Sequence, residues 1–280
     1  MRSRRFVQCD VFSPVPTQGN GLAVIVDADG LSDTQMQRFA AWTNLAESAF
    51  LVPPTDPAAD YRVRVFTPAR EMPFAGHPTL GSCAAWLHAG GVPREAGVVR
   101  QQCGIGIVDV DVSRAAELAF RAPETTIRPL APDRLEAIVQ ALAIPRDAVA
   151  RAAHLENGPT WQALELASAD AVLAVDASRV RWPVFSPIGL IGAHRAGAEC
   201  DVEVRMLAPS SGMSEDPITG SLNAALACWL HAQGRLARPL VVAQGTAIGR
   251  LGRVSVRPDG PETVWIGGQV HLLVDGTVRL

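Results

Sequence analysis

The sequence predicts an α+β protein made of two similar domains. Each is a strand-rich sheet around one helix, with a site in the cleft between them. Three observations carry this. The stretch AGHPTLGSCAAWLHAGG, residues 75–91, is echoed by SEDPITGSLNAALACWLHAQG, residues 214–234. Matching strands precede the two, YRVRVFTPAREM and VEVRMLAPSSGM. Pro-x-x-Gly-Ser then recurs at 78–82 and 217–221, and both helices end in WLHA before glycine. The shared order reads as an internal duplication, with the second helix longer by about one turn.

The elements follow in order. FVQCDVF and GLAVIVDA form a strand pair around PVPTQGN. Ser32 caps a helix over about 33–45, with Met36, Phe39 and Ala40 on its apolar side. ESAFLV and YRVRVF are strands parted by the turn PPTDPAAD. Pro78 suits the first helical position of the next helix, and Gly90 and Gly91 suit its stop. GIVDVDV and ELAF are strands, and the proline-rich RAPETTIRPLAPDRL reads as the connection between halves. LEAIVQALAI is a helix; WQALEL, GLIGAHR and VEVRMLA are strands; RVSVRP, TVWIGG and VHLLVDGTVRL close the chain as strands.

Composition narrows the chemistry. The 280 residues fit one large domain or two of moderate size, and 48% hydrophobic residues supply a core. A net charge of −3 without a basic stripe argues against nucleic acid. No apolar run reaches the ~18 residues of a membrane span. The basic N-terminus lacks an apolar stretch behind it, so no cleaved signal peptide is expected. Five scattered cysteines, none in a CxxC pair, argue against a disulfide framework and a structural zinc site. They fit small buried side chains in a reducing cytoplasm. All 25 basic residues are arginine. Without lysine there is neither a Schiff base nor a phosphate-binding Walker A loop.

The two helix starts are the candidate site. Unpaired N–H groups and partial positive charge make a helix start a natural anion site. Gly81 and Gly220 let a ligand approach, and Ser82 and Ser221 add hydroxyls. Facing across a cleft, the two starts would grip a carboxylate, with His77 and Asp216 as opposed acid–base groups. Asp216 before proline also reads as an ordinary cap. Glu47 in NLAESAFLV enters an apolar strand; held in an apolar pocket, it would take and return a proton near neutral pH. His88 and His231 lie at helix ends, suited to terminal carbonyls, while Glu71 and Glu215 read as structural.

GNGLAVIVDADGLS, NLAESAFLV, YRVRVFTPAREMPFAGHPTLGS and SEDPITGS together resemble the PhzF-like family of phenazine-biosynthesis isomerases; AQGTAIGR and WIGGQVHLLVDG extend the likeness over most of the chain. The resemblance implies the diaminopimelate epimerase-like fold, two mostly antiparallel sheets each wrapped around a central helix. It implies domains at 1–113, completed by a last strand at 269–280, and at 114–268. By position it makes Glu47 the main proton-transfer residue, His77 and Asp216 its catalytic partners, and Asn20, Gly76, Gly220 and Ser221 substrate-binding groups. It further implies no cofactor, no metal, a small carboxylate-bearing substrate and a homodimer. The thiol pair of diaminopimelate epimerase has no match here, and Cys103 reads as part of a strand. Gly21 stands where the family usually has proline, and Ala46 where it often has serine. The expected activity is a proton-moving isomerisation in which Glu47 removes a proton from an activated carbon and returns it elsewhere. The competing readings are an epimerase or racemase, a metal hydrolase using His77 and Asp216, and a non-catalytic binding protein.

Overall fold

Alternating burial along the first strand, with Val7, Cys9 and Val11 inward, shows why the opening residues form a strand over a core. The computed structural model describes residues 2–114 and 116–280. The first half runs β1 (Ser3–Val11), β2 (Asn20–Ile25), α1 (Asp33–Thr43), β3 (Glu47–Val52), β4 (Tyr61–Phe66), β5 (Glu71–Met72), α2 (Gly76–His88), β6 (Val98–Cys103), β7 (Gly106–Asp111) and β8 (Leu118–Arg121). The second repeats the plan with β9 (Thr126–Pro129), α3 (Pro132–Leu142), β10 (Val149–Glu156), β11 (Thr160–Leu166), α4 (Ala169–Leu173), β12 (Ile188–Ala193), β13 (Val202–Leu207), β14 (Glu215–Asp216), α5 (Gly220–Ala232), β15 (Leu240–Gln244), β16 (Gly252–Asp259) and β17 (Thr263–Gly268). The last strand is β18 (Val270–Arg279).

Strand pairing repeats almost step for step. In the first half β2 runs parallel to β3, β4 antiparallel to β3 and β5, and β6 parallel to β4. In the second, β11 and β12, β12 and β13, β13 and β14, and β13 and β15 take the same senses. β8 and β17 pair antiparallel and join the two systems. β18 lies antiparallel along β1, as β9 does along β10.

Helices α2 and α5 are sunk inside their sheets. Their alanines, glycines and serines are buried on nearly every side, as expected of a helix without a polar face. The helices meet at their N-termini. A methyl group on Gly76 would stand 2.5 Å from the backbone of Gly220 and Ser221. Only glycine allows this approach.

That contact corrects the phase of the duplication. Both helices have 13 residues, so the second is not a turn longer. α2 begins at Gly76, two residues before Pro78, whereas Pro217 precedes α5 altogether. The recurring Pro-x-x-Gly-Ser letters are therefore out of step with the structure. Gly76 matches Gly220, and His77 matches Ser221. Met72 opposite Val65 matches Asp216 opposite Met206. Gly81 packs against Leu22, Cys9 and Val11 of its own half and does not meet Gly220.

Several elements escape the sequence reading, among them the short strands β5 and β14. RAAHLE in β10 lacks the β-branched pattern, LVVAQ in β15 is short, and α4 is a helix of 5 residues. The proline-rich connection also contains a strand, β9, which pairs with β10. Ser32 caps α1 with Gln35 completing a capping box, as expected. All five cysteines are free; Cys9, Cys83 and Cys200 are buried, and Cys103 closes β6. No helix among the described residues is long and apolar enough to cross a membrane.

Candidate active site

Glu47 opens β3, just after Asn44 ends α1 in a left-handed turn that reverses the chain. His77 is the second residue of α2 and is 2% exposed. Its Nε2 stands 3.6 Å from Glu47 Oε2, and neither atom has a hydrogen-bond partner. Asn20, first in β2, reaches across the cleft. Its Nδ2 donates to the Ile218 carbonyl at 2.9 Å and lies 3.3 Å from both Asp216 Oδ1 and His77 Nδ1. Asp216 takes a second hydrogen bond at Oδ2 from the Thr219 hydroxyl. The structure thus gathers Asn20, Glu47, His77 and Asp216 into one buried cluster.

Burial dominates its electrostatics. Glu47 is pushed well above the usual carboxylate range, first by desolvation and then by the charge of Asp216. Asp216 rises to about 6 through desolvation, with Glu215 adding to the rise and the Thr219 and Asn20 hydrogen bonds opposing it. Desolvation lowers His77 to about 3, against a hydrogen bond with the Gly21 backbone. At neutral pH the imidazole is uncharged, so its approach to Glu47 is not an ion pair. A carboxyl whose ionisation burial opposes faces a neutral ring.

A cavity of about 140 Å³ opens in front of this cluster. Glu47, Asp216, Thr219 and Ser221 supply its polar wall, and Met72, Phe74, Trp161 and Met206 its apolar wall. Asn20, His77, Gly76 and Gly220 stand behind that wall. Arg70 is the one cationic side chain on the wall among the described residues; its guanidinium lies 5.2 Å from the centre of the Trp182 ring, across the cleft. Ser82 is buried away from the cavity without a partner, so it is not the counterpart of Ser221.

The helix-end histidines hold other groups. His88 pairs with Asp275 at 2.7 Å, and His231 with the Pro261 carbonyl at 2.7 Å, so neither binds the last carbonyls of its helix. Glu71 and Glu215 are both paired with arginine. Glu71 forks onto Arg64 at 2.8 and 2.6 Å, and Glu215 onto Arg205 at 3.0 and 2.6 Å. Sequence reasoning missed Thr219, Gln244, Arg70, Trp161 and Trp182. Thr219 lies inside the EDPITGS stretch, but nothing in the one-dimensional pattern links it to Gln244, which binds it from the end of β15.

Known proteins resemble this chain along its whole length. It is 32% identical to Antisense-enhancing sequence 1 of Schizosaccharomyces pombe, over 99% of both proteins. It is 32% identical to a trans-2,3-dihydro-3-hydroxyanthranilate isomerase of Pseudomonas fluorescens, over 91% of this chain and 90% of that one. A Bacillus anthracis phenazine biosynthesis protein of the PhzF family has the same fold, with a TM-score of 0.81 at 21% identity over 100% of both chains. The fold is that of the diaminopimelate epimerase-like proteins, and with relatives named as isomerases this enzyme is an isomerase. The chain belongs to the PhzC–PhzF family of phenazine biosynthesis-like proteins, which it matches over residues 9–276.

Proposed function

We propose that the enzyme shifts a proton within a small carboxylate-bearing metabolite, using its own side chains as acid and base. One observation carries this reading. Glu47 Oε2 and His77 Nε2 are buried, unpartnered and 3.6 Å apart, with the Glu47 carboxyl on the cavity wall. A carboxyl raised well above its ordinary range by burial is suited to exchange a proton near neutral pH. Asp216, raised to about 6, is a second acid–base group on the same wall. Ser221 and the first N–H groups of α5 are placed to hold the substrate carboxylate and the charge that develops on it. Desolvation strengthens each of these interactions. His77, behind the wall, orients the Glu47 carboxyl.

The cavity volume, about 140 Å³, is close to the ~150 Å³ that holds benzene in an engineered cavity. The substrate class is therefore a single-ring or short-chain acid. The hydroxylated cyclic acid named for the Pseudomonas fluorescens relative falls in that class.

An epimerisation is the second reading, because each half contributes one wall carboxylate. A two-acid epimerase needs its acids on opposite faces of one carbon. Here the acids occupy non-equivalent positions: the counterpart of Asp216 is Met72, and Pro187 precedes β12 as Glu47 opens β3. Unequal placement favours transfer between two different atoms.

The test is solvent exchange in D2O, followed by NMR over a panel of small cyclic and acyclic acids. The wild type is expected to place deuterium at a carbon other than the one that loses hydrogen. Deuterium confined to one inverted carbon would establish the epimerase reading. A folded Glu47→Gln protein with undiminished exchange would overturn both.

A further inference from the structure

We infer that Thr219 and Gln244 are positioning residues that lock Asp216 as a hydrogen-bond acceptor at both oxygens, so that it enters the reaction as a charged base. This rests on the reading of Glu47 and Asp216 as acid–base groups and goes beyond it by assigning the residues that hold Asp216 ionised.

The argument is one of hydrogen-bond sense. A backbone N–H only donates and a carbonyl only accepts, so each fixes the direction of whatever it meets. Gln244, 0% exposed, accepts at Oε1 from the Thr219 backbone N–H at 3.0 Å and from Asn223 Nδ2 at 2.8 Å. Its amide orientation is thereby set, and Nε2 must donate. Nε2 meets the Thr219 hydroxyl oxygen at 3.0 Å and the Asp216 carbonyl at 3.4 Å. The Thr219 hydroxyl accepts there, and the one acceptor its own proton finds among the described residues is Asp216 Oδ2. On the other side the Ile218 carbonyl fixes Asn20 with Nδ2 outward, 3.3 Å from Asp216 Oδ1. Both carboxylate oxygens therefore face donors. A proton on either oxygen would confront a donor and break a buried hydrogen bond.

The surrounding charges agree. Glu47 of β3 lies beside His77 of α2, which meets Asn20; Glu47 and Asp216 line the same cavity, and Glu215 next to Asp216 on β14 is tied to Arg205 of β13. No cation touches Asp216 among the described residues. Hydrogen-bond donors, and not an ion pair, keep it charged in a site whose burial opposes charge.

The test uses the intact protein without substrate. Aspartate side-chain carboxyls are labelled with 13C, and the Asp216 resonance is assigned by its loss in Asp216→Asn. Wild-type Asp216 is expected to be ionised at pH 8. Thr219→Val, nearly isosteric, and Gln244→Leu should each raise its titration midpoint by about one pH unit. Thr219→Ser should restore the wild-type midpoint, which a packing role would not require. Wild-type midpoints in both Thr219→Val and Gln244→Leu, or a wild-type Asp216 still protonated at pH 8, would overturn the inference. Should Gln244→Leu fail to fold, Thr219→Val against Thr219→Ser decides it. Because no turnover is measured, an active Glu47→Gln enzyme would sink the proposed reaction and leave this titration standing.

Discussion

The two halves carry the same arginine–glutamate fork at the same place, and they use it differently. Arg64 of β4 grips Glu71 at a surface where those side chains keep 18% and 43% of their exposure. Arg205 of β13 grips Glu215 with 4% and 0%, while also donating to the Val172 and Val175 carbonyls at 3.0 and 2.6 Å. One fork is solvated and the other is a sealed network beneath α4. The sealed one stands directly beside Asp216. The duplicated scaffold is symmetric, and its symmetry is broken at the cavity wall: Met72 against Asp216, Ala75 against Thr219.

The largest effect that breaks this comparison is chemical. Glu47→Gln should cut turnover by about 10²–10⁴-fold, measured by solvent exchange. The same change should stabilise the protein. Glu47 titrates well above its ordinary 4.5 in the fold, so its contribution is intact below that pH and is lost as pH rises. The melting-temperature gain of Glu47→Gln over wild type should therefore be near nil at pH 4 and grow toward pH 8.

The two forks come next. Arg205→Met strands a buried carboxylate and should destabilise by about 3–5 kcal/mol in urea melts. Gly76→Ala drives a methyl group into the α5 backbone and should cost about 1–3 kcal/mol, with activity falling further as the helix starts separate. Arg64→Met, the mirror of the Arg205 change, should cost less than about 1 kcal/mol because solvent screens its fork. Equal losses from the two arginines would erase the distinction between the halves.

Much of the fold was readable because duplication leaves a textual trace. YRVRVF and VEVRML are the matched strands β4 and β13, and WLHA marks both helix ends. Helix phase was not readable. It is set by the Gly76–Gly220 contact, which competes with a repeated proline–glycine–serine pattern that has no structural meaning. The acids Glu47 and Asp216 stand out as carboxylates beside apolar runs. The Thr219–Gln244 link does not, since it joins a helix start to a strand end by contacts that exist only after folding. β10 is invisible for a related reason: its neighbours β9 and β11, and not its own residues, make it a strand.

The lie of β18 along β1 has a consequence for biogenesis. Ser3 pairs with Arg279 and Val11 with Val270, so the first strand of the sheet waits for the last. Contacts this distant in sequence close slowly. While the ribosome is still adding the second half, β1 has one open edge, and the first half presents an unfinished sheet to other nascent chains. Glu47 and His77 belong to that unfinished half. The half that holds them is therefore complete only once β18 has been made.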